Sequence, residues 1–320
     1  MVSKTIRDKK RYLYFFFYHI FKKKILEEKI GIKNYNHKYA GKEFLNRQET
    51  NDLISEYIRK GDPFALVRPG NGESAFALLW EEEKLFGKQL YTRKSDNFSR
   101  NMLLYNGIVD EYQMIFRKDI SDADIFAIFP EYLLESYLPQ TYCVESKVIN
   151  AWNMGPINTQ RPWTDALGGK KVLVVSQFAD FLLEQYSKRE KLYSGEWMFP
   201  EMELIPVKSI WYFPGNETFA TWFDALNYLY TKIMEHDFDI ALLSCGPFAI
   251  HLAPMLKRAG KQAIQYAGEL QMLFGIRGAR WDDNPVFKKY FNESWIRITK
   301  EQVGISEEES KNMDGGVCYW

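Results

Sequence analysis

The chain has 320 residues, 46% of them apolar and 26% charged, an ordinary globular balance that excludes a disordered, collagen-like or mucin-like polypeptide. Lys plus Arg and Asp plus Glu number 42 each, and the zero net charge argues against a protein dominated by non-specific nucleic-acid binding. That neutrality is a cancellation: residues 1–42 hold 12 Lys/Arg against Asp8, Glu27 and Glu28, a local +9, so residues 43–320 carry −9.

Residues 12–21 read Tyr-Leu-Tyr-Phe-Phe-Phe-Tyr-His-Ile-Phe, between Lys9-Lys10-Arg11 and Lys22-Lys23-Lys24. Ten helical residues rise about 15 Å, half of a ~30 Å hydrocarbon core, so this stretch does not span a bilayer. Lysines stand where a signal peptide would carry its small-residue cleavage site. Two readings stay open. The rings and lysines suit an anionic membrane surface, or the helix packs on the body with its lysines in water.

Residues 44–60 have helical spacing, with Leu53, Ile54, Tyr57 and Ile58 on one side, and Gly61-Asp62-Pro63 stops the helix. Phe64–Val67 then reads as a strand, Arg68-Pro69-Gly70-Asn71-Gly72-Glu73 as a turn and Ser74–Trp80 as a helix. The same grammar recurs downstream. Strands are expected at 125–129, 171–175, 239–243 and 262–266, and helices at 179–189, 219–234 and 248–259. The predicted fold class is α/β: a Rossmann-like, mainly parallel sheet flanked by helices, preceded by a basic aromatic N-terminal helix. The domain division is 1–42 and 43–320, with 43–150 and 151–320 readable as two lobes. The chain ends in Cys318-Tyr319-Trp320, bulky residues expected to dock on the body.

Chemistry-bearing residues fall on the turns after strands. In the 68–73 turn, Gly70 and Gly72 let backbone N–H groups approach a phosphate at a helix N-terminus, and Arg68 offers a bidentate fork. Glu73 is the turn's one carboxylate, able to bind a metal, accept a ribose hydroxyl or act as a base. Ser244-Cys245-Gly246-Pro247 also lies between strand and helix. Ser244 can bond a phosphate, whereas Cys245, with no adjacent His, reads as a buried thiol. After the 262–266 strand come Glu269, Arg277, Arg280 and Trp281: acid for a hydroxyl or metal, guanidinium for phosphate, ring for a sugar or base. Their alternative is an ordered loop with Arg277 and Arg280 paired to Asp282 and Asp283. Gln160-Arg-Pro-Trp-Thr-Asp165 reads as domain packing or as part of the same mouth. Three dispersed Cys and four dispersed His form no zinc pattern. The full GxGxxG and its later acid are missing, which argues against a nicotinamide oxidoreductase.

At the 68–73 turn the chain resembles bacterial glycosyltransferases of the GT-D type, whose motif reads roughly Arg-x-Gly-Asp-Gly-Glu. Arg68, Gly70, Gly72 and Glu73 match, and Asn71 replaces the first acid. Residues 151–320 resemble a family of largely uncharacterised proteins from polysaccharide gene regions. The matching stretches are Gly155-Pro156, Arg161-Pro-Trp163, Gly169–Val175, Gln185-Tyr186, Phe238–Ala241, Ser244-Cys-Gly246, Gly260–Ile264, Gly268, Leu270-Gln271, Leu273–Ile276, Arg280-Trp281 and Cys318-Tyr-Trp320. The resemblance implies transfer of a sugar from a nucleotide-sugar donor to a surface polysaccharide or lipid-linked glycan. It implies Glu73 and Glu269 as candidate bases, and donor binding by Arg68, Gly70, Asn71, Gly72, Ser244, Gly246, Arg277, Arg280 and Trp281. Mn²⁺ or Mg²⁺ at Glu73 is the implied cofactor, weakened by Asn71. The expected place is cytoplasmic, with residues 1–42, which lie outside the resemblance, as the segment that would hold the chain peripherally on the inner face of the cell membrane. The alternative is a non-catalytic nucleotide-sugar or glycan-binding protein.

Overall fold

The computed structural model describes residues 4–21, 25, 29, 38–39, 42–90, 108–130, 136–193, 199–212, 218–311 and 319–320. One sheet organises them. Its strands are β1 (Phe64–Val67), β2 (Ile125–Ile128), β3 (Lys147–Asn150), β4 (Lys171–Ser176), β5 (Glu203–Lys208), β6 (Ile240–Ser244) and β7 (Gln262–Gln265). They lie in the order β3-β2-β1-β7-β6-β4-β5, and every neighbouring pair is parallel. Strands from 43–150 and from 151–320 share this sheet.

The central strands are buried at every position, as a parallel sheet covered on both faces requires. Their side chains alternate between two cores: Ala65 and Val67 enter one, Phe64 and Leu66 the other. The first core is covered by α1 (Lys4–Ile20), α3 (Asn71–Phe86), α4 (Val109–Ser121), α5 (Tyr137–Tyr142), α7 (Trp222–Met234) and α8 (Ala249–Arg258). The second is covered by α2 (Arg47–Lys60), α6 (Ala179–Tyr186) and the segments around Trp163 and 270–305.

The expected strands and helices are present with shifted ends. The first body helix begins at Arg47 because Asn46 and Glu49 form a reciprocal capping box, and it ends at Gly61, φ +81°. The helix expected at 74–80 runs from Asn71 to Phe86. Strands β3 and β5 add to the expected elements. Both are sheet edges, where mixed exposure breaks the apolar run and an edge tolerates Pro206.

The N-terminal helix spans Lys4–Ile20, longer than the aromatic run alone. Tyr12, Phe15 and Phe16 join the first core, and the Tyr12 hydroxyl donates to Glu82 (2.6 Å). Among the described residues no helix is long and apolar enough to cross a membrane. Lys22–Lys24 and Cys318 lie outside the described residues.

A buried charge network ties α4 to α8. Asp119 faces His251 Nδ1 at 2.7 Å with one oxygen and accepts from Arg258 Nη2 (2.9 Å) with the other; Asp119 and His251 are both buried. A carboxylate only accepts, so Nδ1 carries the proton. Removing one partner of such a pair strands the others. Asp119→Ala is expected to lower unfolding free energy by about 3 kcal/mol in a urea titration; a loss below about 1 kcal/mol contradicts this role.

Candidate active site

Chain order reverses between β1 and β7. From β1 the chain moves outward to β2 and β3, crosses to the far side, and returns through β6 to β7. In an open parallel sheet such a switch point opens a crevice at the carboxyl ends of the strands. Arg68 follows β1 and Tyr266–Glu269 follow β7, so the structure brings two expected site residues together there.

The Arg68 side chain is only 10% exposed. Its Nη1 donates to Glu269 Oε2 at 3.3 Å, and Glu269 is 24% exposed. The guanidinium lies 5.4 Å from the Phe129 ring and 5.8 Å from the Tyr266 ring. Its backbone is fixed as well, since the Arg68 amide donates to Gln265 Oε1 (2.8 Å). Gln265 is buried at the last position of β7. Aromatic faces and one carboxylate therefore orient a guanidinium that has lost most of its water. Tyr266 is fully buried, and its phenol is held well above its ordinary pKa, first by burial and then by the Glu269 charge, so it stays a neutral hydroxyl.

The loop's other half lies over α3. Gly70 is the N-cap, with no side-chain cap, and the first helical bond runs from the Ser74 amide to Gly70 O (3.0 Å). The amides of residues 71–73 thus precede the first intrahelical bond, at the positive end of a 16-residue helix. Glu73 folds back on this turn: a Cβ at position 70 would lie 2.6 Å from Glu73 Oε2. Glycine at 70 is what lets the carboxylate approach. Asn71 is exposed and Gly72 half-buried.

The remaining candidates divide. Ser244 ends β6 in register with Ser176 of β4, and Gly246 follows at φ +58°. Cys245 is buried, and burial pushes its thiol pKa up, which fits the structural reading of this cysteine. Arg277 pairs with Asp282 (3.0 Å) and lies 4.3 Å from the Phe291 ring, whereas Asp283 pairs with Lys288. The Arg280 guanidinium lies 5.6 Å from the ring of buried Trp281. Trp163 is fully buried and Arg161 pairs with Asp52 (2.7 Å), so the 160–165 segment serves packing. An open depression lined by Asp52, Glu56, Arg59, Lys60 and Arg161 lies along α2, whose C-terminal end meets the amino end of β7 through Gln262 rather than the carboxyl ends. Among the described residues no three His, Cys, Asp or Glu side chains come together as a metal site. With Glu269 engaged by Arg68 and Asn at 71, the donor set does not fit a tightly held Mn²⁺ or Mg²⁺, which favours several anionic oxygens.

Reading the sequence missed Gln265, Phe129 and Tyr266 as supports of Arg68. A polar side chain at the end of a buried strand was the available signal for Gln265. It also missed backbone strain beside the site: Ala267, between Tyr266 and Gly268, has φ +61°.

Tyr319 and Trp320 dock over the carboxyl ends of β4, β5 and β7, as expected of the bulky tail. Tyr319 lies 6.3 Å from Phe178, and Trp320 lies 6.0 Å from Phe178 and 6.2 Å from Trp211, ring to ring. A Cβ on Gly268 would meet the Tyr319 ring at 2.9 Å. The Trp320 carbonyl accepts from the Ala279 amide (2.9 Å) and from Arg297 (2.9 Å), and Arg297 also grips Asp282 (2.7 Å).

No family model and no curated protein matches this chain. Two solved structures are similar to it. One is described as "The highly conserved domain of unknown function 1792 has a distinct glycosyltransferase fold", with 13% identity and a TM-score of 0.41 over 80% of this chain and 95% of that one. The other is the "Selenomethionine substituted structure of domain of unknown function 1792 (DUF1792)", with 12% identity, the same TM-score of 0.41 and the same coverage of 80% and 95%.

Asp282 carries a pH dependence. Burial alone would raise its carboxyl, but hydrogen bonds from Arg297 and Arg277, with their charges, outweigh burial and hold it below the ordinary value. A depressed carboxyl stabilises the fold above the unfolded pKa of about 3.9 and loses that contribution as pH falls through the lower folded value. Tryptophan emission is expected to stay native down to pH about 4 and shift red only below it. Asp282→Asn is expected to cause the same shift at neutral pH; an unchanged spectrum in the variant contradicts the assigned role.

Proposed function

We propose that the protein is a glycosyltransferase that moves a sugar from a nucleoside-diphosphate donor to a hydroxyl of a surface polysaccharide or lipid-linked glycan. The observation that carries this reading is Arg68: a largely buried guanidinium at the switch point, on the chain three residues before the first residue of α3, whose N-cap Gly70 carries no side chain. Both are built to meet the same chemistry, a diphosphate.

In the proposed reaction the diphosphate competes with Glu269 for Arg68. The acceptor oxygen attacks the anomeric carbon, and the bond from that carbon to the diphosphate breaks. The electron pair stays on the leaving diphosphate, where Arg68 and the α3 amides stabilise it. The acceptor's proton passes to a carboxylate. Glu269, once Arg68 has turned to the diphosphate, and Glu73, at the same loop, are the two candidates. Ser244 and Gly246 would line the β6 side of the donor site. Arg277, Arg280 and Trp281 would contribute as an organised loop rather than as direct phosphate ligands. The reading includes a peripheral place at the inner face of the cell membrane, held through residues 1–42. The replacement of an acid by Asn71 favours one other reading, a non-catalytic nucleotide-sugar binder.

A panel of UDP-, GDP- and TDP-sugars separates the two. A transferase hydrolyses at least one donor slowly, including in EDTA, and a binder only raises its own melting temperature. No hydrolysis and no shift with any donor contradicts both. Arg68→Lys loses the bidentate fork and is expected to lower kcat/KM about 100-fold. Glu73→Gln and Glu269→Gln are compared for donor binding and turnover. The base is the residue whose change spares binding and lowers turnover about 100-fold or more. Gly70→Ala, which crowds the Glu73 carboxylate, is expected to mimic Glu73→Gln if that residue is Glu73.

A further inference from the structure

The outward face of α1 has a composition of its own. Tyr12, Phe15 and Phe16 face the core, whereas Tyr14 is 67% exposed, Phe17 62% and Phe21 50%. Positions 6, 10, 14, 17, 18 and 21 follow the three- and four-residue spacing of a single helical stripe. Tyr14 and Tyr18 stack along it, centroids 6.1 Å apart and planes 7° off parallel. Six of the twelve exposed large apolar side chains among the described residues lie between Ile6 and Ile25, so they form a patch rather than a scatter.

Charge selects the partner. Residues 1–24 hold eight Lys/Arg and one acid, Asp8. Lys10 on the stripe and Arg7 and Arg11 near it are exposed, Arg11 also donating to the Gln140 carbonyl. Protein interface cores are depleted of lysine, and an isologous pairing of this face would set like charges together. Rings bordered by cations match a headgroup layer of anionic lipid. The inner face is anchored by Tyr12 on Glu82 and by Tyr12 and Phe15 against Tyr137, so the helix is held along the body.

We propose that the outer face of α1, continued by Phe21, is a peripheral docking surface for anionic phospholipid, the helix lying in the plane of the membrane with Tyr14, Phe17, Tyr18 and Phe21 at headgroup depth. This deepens the membrane placement in the reading above and is independent of the transfer chemistry.

The test uses the full chain with phosphatidylcholine vesicles, with and without phosphatidylglycerol, in a co-sedimentation assay. Binding is expected only with phosphatidylglycerol and is expected to fall about tenfold or more at high salt. The pair Tyr14→Glu and Phe17→Glu is expected to weaken it about tenfold or more with an unchanged melting temperature. Arg7→Glu with Lys10→Glu is a second variant expected to do the same. The proposal is overturned by absence of binding, by equal binding to neutral vesicles or by binding retained in both variants. A dimer in light scattering that the same substitutions dissolve also overturns it. Donor hydrolysis is followed in the same samples. Lipid binding without hydrolysis in any sample counts against the transferase alone, and hydrolysis without lipid binding counts against this surface alone.

Discussion

A parallel sheet covered on both faces has no interior place for charge. The strands from Phe64 to Val67 and from Ile240 to Ser244 are buried throughout, and a charged side chain within them would be stranded away from water. Chemistry is therefore displaced to the strand ends, and chain reversal selects which end. The chain moves from β1 to β2 on one side and comes to β7 from β6 on the other, so strand order switches between β1 and β7. Arg68 occupies that gap at a cost in solvation, which Glu269, two aromatic rings and a fixed backbone offset. In the proposed reaction a better anion replaces that carboxylate on Arg68.

The mouth of the crevice is asymmetric. On the β1 side it is charged and glycine-rich, with Glu73 folded over Gly70. Across β4 and β5 it is aromatic, closed by Phe178, Trp211, Tyr319 and Trp320 and clamped by Arg297. A charged, glycine-rich side and an aromatic side thus meet along the carboxyl ends of one sheet. The neutral total charge takes on meaning in the same way. The basic N-terminal segment and the acidic body are separate parts of the chain, and in the body Arg68 is placed where a single charge matters.

Much of this was legible in sequence because strand, turn and helix follow one another locally. Arg68, Gly70, Glu73, Ser244 and Glu269 could be placed at strand ends from spacing alone. What supports Arg68 could not. Gln265, Phe129 and Tyr266 come from other strands and meet it only through sheet order. The edge strands β3 and β5 were hidden because half-exposed edges lose the apolar run. The inner and outer faces of α1 were hidden for the opposite reason: residues 14–18 are all aromatic, so no period separates Phe15 and Phe16 from Tyr14 and Phe17.

In the proposed reaction Arg68 exchanges a carboxylate for a diphosphate at the β1–β7 switch point. The most direct test is a crystal structure of the protein soaked with nucleoside diphosphates. The expected structure has a diphosphate within hydrogen-bonding distance of the Arg68 guanidinium and the amides of residues 71–73, with Glu269 released from Arg68. A nucleotide bound elsewhere, or a site that takes none while the Arg68–Glu269 pair stays closed, would contradict it.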